Sequence, residues 1–176
     1  MGGRRRSLVS ITDLDRTDVA RIMRLGNRFS EVMDRDIKKV PTLRGRTVIN
    51  LFVESSTRTA TSFELAGKRL SADVVNVKGS GSSMDKGETL KDTVITLSSY
   101  APDVIVVRHA SAGACQLAAR HSDAAIVNAG DGKNEHPTQT LLDLYTIERE
   151  VGPLDGLHIA FVGDVAHSRV ARSGAI

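Results

Sequence analysis

Five short apolar runs recur along the chain, at 47–53 (TVINLFV), 73–77 (DVVNV), 103–107 (DVIVV), 124–128 (AAIVN) and 157–162 (LHIAFV). Each has strand length and little clean alternation, so each predicts a strand covered on both faces. Between them, 57–70, 88–99, 112–120 and 137–150 read as helices. A longer helix is expected at 13–33, with Leu14, Val19, Ile22, Met23, Phe29 and Met33 on its apolar side, Arg on the other, and Thr12 or Asp13 as cap. The β-α alternation predicts the α/β class, a parallel sheet flanked by helices.

In such sheets ligands bind beyond the carboxyl ends of the strands. The loops expected there are polar: Ser55 to Thr59, 78–87 (KGSGSSMDKG), Arg108-His109, 128–139 (NAGDGKNEHPTQ), and a fifth at 163–169 (GDVAHSR). Ser56, Thr57, Arg58 and Thr59 stand at a strand-to-helix turn, where unpaired first-turn amides attract anions. Three hydroxyls and a guanidinium fork exceed what an N-cap needs. The 78–87 loop is no dinucleotide fingerprint, because Met84 takes the third glycine's place, and it lacks the P-loop Gly-Lys-Ser/Thr. Ser82, Ser83 and Lys86 can swing onto an anion, or the loop is simply flexible.

Arg108 ends an apolar strand, where burial would demand an anionic partner. A rim position or a neighbouring carboxylate would each meet that demand. His136 opens a helix with Pro137 at its first position, an ordinary place for proline. It serves as a cap, or, beside a phosphate and a carbonyl, as a donor to a developing oxyanion. Gln139, three residues on, faces the same rim.

The 176 residues are 40% hydrophobic and 26% charged, enough apolar surface for a core and too little for a disordered chain. No apolar run approaches the ~20 residues of a membrane span. Net charge is +3, with 12 Lys/Arg against 6 Asp/Glu in residues 1–48. Six aromatic residues (Phe 4, Tyr 2) leave little for stacking bases, so nucleic acid is not an expected partner. The five histidines (109, 121, 136, 158, 167) lack ligand spacing and Cys115 stands alone, which predicts neither metal nor disulfide and gives Cys115 to core packing. No nucleophilic triad is legible. Arg4-Arg5-Arg6 leads into no unbroken apolar stretch, so no secretory leader and a cytoplasmic location are expected.

Taken together, Ser56-Thr57-Arg58-Thr59 with Ser62-Phe63-Glu64, then Arg108-His109, then His136-Pro137-Thr138-Gln139, resemble the transcarbamoylase family. Lys86-Gly87-Glu88-Thr89, Asn128-Ala129-Gly130-Asp131-Gly132 and Thr140-Leu141-Leu142-Asp143-Leu144 are similar to its aspartate branch rather than its ornithine branch. The resemblance runs from about Ser10 to Ser173. It implies carbamoyl transfer from carbamoyl phosphate to the amino group of L-aspartate, an early step of pyrimidine synthesis, with no cofactor. By motif, Ser56, Thr57, Arg58 and Thr59 hold the phosphate. Arg108, His136 and Thr59 polarise the carbonyl, Gln139 takes the carbamoyl amino group, and Arg169 binds the aspartate carboxylate. Ser82 and Lys86 reach in from a neighbouring subunit, implying a homotrimer with shared sites. No regulatory or dihydroorotase partner is identified.

Two positions depart from the family: Ala60 where it usually has Arg, and Ala110 where Pro often follows Arg-His. Family members run to roughly 300 residues in two similar domains. The expected division is therefore a basic tail at 1–9, a carbamoyl-phosphate domain at 10–152, and the first strand and turn of a truncated aspartate domain at 153–176. A chain so shortened is expected to be inactive alone. A non-catalytic carbamoyl-phosphate-binding or scaffold protein is the rival from another class, and the ornithine enzyme is the rival within the family.

Overall fold

The computed structural model describes residues 6–176. Four parallel strands form one sheet in the order β2-β1-β3-β4: β1 (Thr47–Phe52), β2 (Asp73–Lys78), β3 (Val104–His109) and β4 (Ala125–Asp131). The helices are α1 (Arg16–Met33), α2 (Thr57–Arg69), α3 (Leu90–Ser98), α4 (Ala114–Arg120), α5 (Pro137–Glu150) and α6 (Arg169–Gly174). Alternate residues along the central strands feed two cores, as the pleat requires. Ile49, Leu51, Ile105, Val107 and Ile126 pack with Val94 and Leu97 of α3 and Cys115 and Ala118 of α4. On the other face Val48, Phe52, Val106 and Ala129 pack with Ala60 and Phe63 of α2. α5 lies on β4, and α1 lies on α5.

Three expectations need correction. The first helix begins at Arg16 rather than at 13, because Asp15 caps it: its carboxylate accepts the Asp18 amide at 2.8 Å. Ile11–Asp13 is a separate 3-10 turn with its own capping box from Ser10. The fifth strand, at 157–162, does not form; Ile159, Phe161 and Val162 are exposed there. A strand takes its hydrogen bonds from neighbours, and among the described residues no strand lies beside this segment. Finally, β2 is an edge strand, and Val75 is half exposed rather than covered on both faces.

Of the stretch expected as a basic tail, residues 1–5 lie outside the described residues. Leu8 pairs with β4, its amide donating to Ile126 O (2.8 Å) and its carbonyl accepting from Asn128 N (2.9 Å). This covers the outer edge of β4, which would otherwise present unpaired backbone groups.

Candidate active site

Strand order 2-1-3-4 sends the chain from β1 toward one edge of the sheet and from β3 toward the other. The crevice beyond the carboxyl ends of β1 and β3 is the topological switch point. There the structure opens a cleft of about 660 Å³ lined by Ser56, Arg58 and Thr59 of the α2 start, Arg108 of β3, His136 and Gln139 of the α5 start, and Arg169 of the α6 start. Seven of the ten sequence-predicted site residues thus meet in one cavity. Thr57 faces a different cleft on the other side of α2. Ser82 and Lys86 do not line the cavity either: the Ser82 hydroxyl donates to Gly79 O (2.5 Å) and Lys86 sits exposed in the 3-10 turn Ser83–Lys86.

The residue that sequence reasoning missed is Glu54, just past β1. Its carboxylate accepts Arg108 Nη2 at 2.6 Å and Arg169 Nη2 at 2.8 Å, so one acid gathers two guanidinium groups from distant segments. The signal was present in part. A largely buried Arg108 required an anionic partner, and the register places Arg108 beside Phe52, two residues before Glu54. Burial works to raise the Glu54 carboxyl, but Arg169 and Arg108 outweigh it and hold it below the ordinary range. Arg108 Nη1 also donates to Ala129 O at 3.0 Å. Two donors of the pair, Arg108 Nε and Arg169 Nη1, are buried without a protein partner.

Both arginines lie over Gly130, whose φ of +113° suits glycine. A Cβ there would stand 2.8 Å from Arg169 Nη1 and 3.0 Å from Arg108 Nη1. The bare backbone is what lets the two side chains cross β4.

His136 is 6% exposed. Burial, reinforced by the positive fields of Arg108 and Arg169, pushes its pKa down to about 4. At neutral pH the ring is therefore uncharged. Its Nδ1 lies 3.3 Å from the Thr138 hydroxyl, and its backbone amide donates to Ser173 Oγ at 2.9 Å. With Thr138 donating to Nδ1, the ring proton resides on Nε2. Gln139 Nε2 donates along its helix to Asp143 Oδ1 at 2.9 Å.

Beneath the cleft, Glu135 accepts Ser10 Oγ (2.7 Å) and Ile11 N (2.8 Å), tying the chain start to the α5 start. Among the described residues no His/Cys/Asp/Glu group could hold a metal ion, and no helix is long and apolar enough to cross a membrane.

An open parallel α/β sheet with an arginine- and hydroxyl-lined cleft at its switch point defines the class of this domain. Residues 6–149 match the family model described as "Aspartate/ornithine carbamoyltransferase, carbamoyl-P binding domain", and the chain belongs to that family. It is 57% identical to the aspartate carbamoyltransferase catalytic subunit of Magnetococcus marinus, covering 97% of this chain and 54% of that protein. To its counterpart in Citrifermentans bemidjiense it is 53% identical, covering 98% and 56%. The chain thus spans about half the length of the curated relatives it matches. Among solved structures, aspartate transcarbamoylase from Trypanosoma cruzi with carbamoyl aspartate and phosphate superposes with a TM-score of 0.91 at 40% identity, over 97% of this chain and 55% of that one. The ligand-free form of the same enzyme gives 0.87.

Proposed function

We propose that this chain supplies the carbamoyl-phosphate half of an active site that transfers the carbamoyl group to the amino group of L-aspartate, giving N-carbamoyl-L-aspartate and phosphate. The observation that carries the reading is the pair of buried, unpartnered guanidinium donors, Arg108 Nε and Arg169 Nη1, beside the α2 first turn in one cleft. Buried donors without acceptors are costly, and the oxygens of a bound carbamoyl group and an acceptor carboxylate would satisfy them.

In this reading Ser56, Arg58 and Thr59 hold the phosphate, with Thr57 contributing from the turn. Arg108, Thr59 and neutral His136 donate to the carbamoyl oxygen. Gln139 turns from Asp143 to the carbamoyl amino group, and Arg169 turns from Glu54 to the aspartate carboxylate. An amine attacking this carbonyl needs neither a covalent intermediate nor a metal. The protein's part is positioning and stabilising charge on the tetrahedral oxyanion and the departing phosphate. A neutral His136 with its proton on Nε2 can still donate a hydrogen bond to that oxygen.

Ser82 and Lys86 complete the site of a neighbouring copy, making the assembly a homotrimer. Residues 10–152 form the carbamoyl-phosphate domain and 153–176 begin a second domain. Because Arg169 is the main acceptor-side group described, this chain by itself binds the donor but shows little or no turnover. Calorimetry with carbamoyl phosphate, then rates with aspartate against ornithine, tests the reading. Binding lost in Arg58→Ala and acceptance of aspartate over ornithine support it. Absence of binding at millimolar carbamoyl phosphate overturns it.

A further inference from the structure

Where α1 meets α5, bare backbone faces a ring. A Cβ on Gly26 would stand 3.0 Å from Tyr145 Cε2, so the glycine is what admits the aromatic side chain there. Beside this contact a cavity of about 310 Å³ opens among α1, α2 and α5. Phe29 and Met33 of α1, Val40, Leu70 and the Tyr145 ring give it apolar walls. It is separate from the candidate active site, and the two share only Ala66 of α2.

The charges beside this cavity are all of one sign. Among the described residues no aspartate or glutamate lines it, and its one charged lining residue is Arg69, half-buried at the end of α2. Arg149, one turn of α5 beyond Tyr145, stands at its edge. There Nη1 donates to Ser30 Oγ at 3.1 Å and to Tyr145 Oη at 3.4 Å, and the guanidinium lies 5.7 Å from the Tyr145 ring centre. Ser30 and Tyr145 both line the cavity, so these contacts hold the side chain beside it. Among the described residues neither arginine makes an ion pair.

These features select one kind of ligand. Two guanidinium groups repel an ammonium. A plain hydrocarbon would fill the walls but give the arginines no anion. A carboxylate meets a guanidinium through two parallel N–H···O bonds, and Arg149 engages the described residues through Nη1 alone. Phe29 and Tyr145 suit an aromatic body, which packs on their rings by offset or edge-to-face contact. The volume lies at the lower end for ligand pockets, which fits a single ring.

We infer that the α1–α2–α5 cavity is a second binding site, for a small aromatic monocarboxylate. The ring meets Phe29 and Tyr145, and the carboxylate meets Arg149 in the positive field of Arg69.

Nitrogen-15 NMR of the chain titrated with phenylacetate tests this. Phenylacetamide is the same body without the charge, and acetate is the charge without the ring. The Gly26 and Tyr145 backbone signals should move together, saturating with a Kd of about 1 mM or below. Phenylacetamide and acetate should each bind there at least about tenfold more weakly. Arg149→Met keeps an apolar stem against Tyr145, removes the charge from an exposed position and should weaken phenylacetate about tenfold. Arg69→Met should weaken it as well, which keeps the test decisive if the first variant does not fold. Fixed Gly26 and Tyr145 signals up to about 10 mM phenylacetate overturn the inference, as does equal binding of either control or unchanged affinity in the arginine variants. So do cavity shifts produced by raising the protein concentration alone, which would mean that a second copy covers the site.

Discussion

Acidification from neutral pH to pH 4 is expected to destabilise this domain through His136. In the unfolded chain the ring binds a proton near the ordinary value of 6.5, and in the folded domain only at about 4. Between those values the unfolded state holds more protons, so stability rises with pH across the window. The contribution is complete above 6.5 and is lost progressively as pH falls toward 4. At 1.36 kcal/mol per unit, the full effect is about 3 kcal/mol. Urea denaturation at intervals from pH 7.5 to 4 gives the total. His109 is also pushed down by burial and acts in the same direction, so the difference between wild type and His136→Asn isolates the His136 share. Carbon-13 NMR of the ring gives the folded-state value directly. Saturating phosphate should raise it, because an anion beside Arg108 and Arg169 cancels much of the field that depresses it. A ring titrating near 6.5 in the folded domain, or a value unmoved by bound phosphate, would refute the electrostatic argument and with it the neutral donor.

The other expectations concern the arginine pair, the packing of α2 and the shared site. Glu54→Gln removes the acid that gathers Arg108 and Arg169; allowing for its partial exposure, a loss of about 2 kcal/mol is expected in chemical denaturation. The same variant should bind inorganic phosphate about tenfold more tightly by calorimetry, since the anion no longer competes with a carboxylate. Gly67→Ala drives a methyl into Val74 and should cost about 1–3 kcal/mol, read as a lowered Tm. If the proposed reaction holds, Arg108→Ala in an enzyme that carries both substrate halves should lower kcat about 10²–10³-fold, the usual effect of deleting one oxyanion donor. If sites are shared, mixing inactive Lys86→Ala and Arg58→Ala subunits should restore part of the activity in the hybrids, whereas independent sites would restore none.

Much of this was legible along the chain because local pattern and local chemistry agreed. Val- and Ile-rich runs separated by helical spacing marked four parallel strands and their helices, since a strand covered on both faces must be apolar throughout, though β2 kept the same pattern at an exposed edge. Pro137 and the Ser56 hydroxyl marked the starts of α5 and α2. The polar loops pointed to one rim because a parallel sheet puts all its strand-to-helix turns at one end. The run at 157–162 had the same pattern as the others and still formed no strand, because pairing depends on a neighbour and not on composition. Thr57 looked equivalent to Ser56 and Thr59, but successive residues of a helix point about 100° apart, which turned it to the opposite cleft. Only the tertiary structure decided that Glu54, Arg108 and Arg169 would meet, since charges distant in sequence acquire a partner only once β1, β3 and α6 are packed together. The same holds for His136, whose depressed pKa comes from burial and two remote guanidinium groups that no local pattern contains.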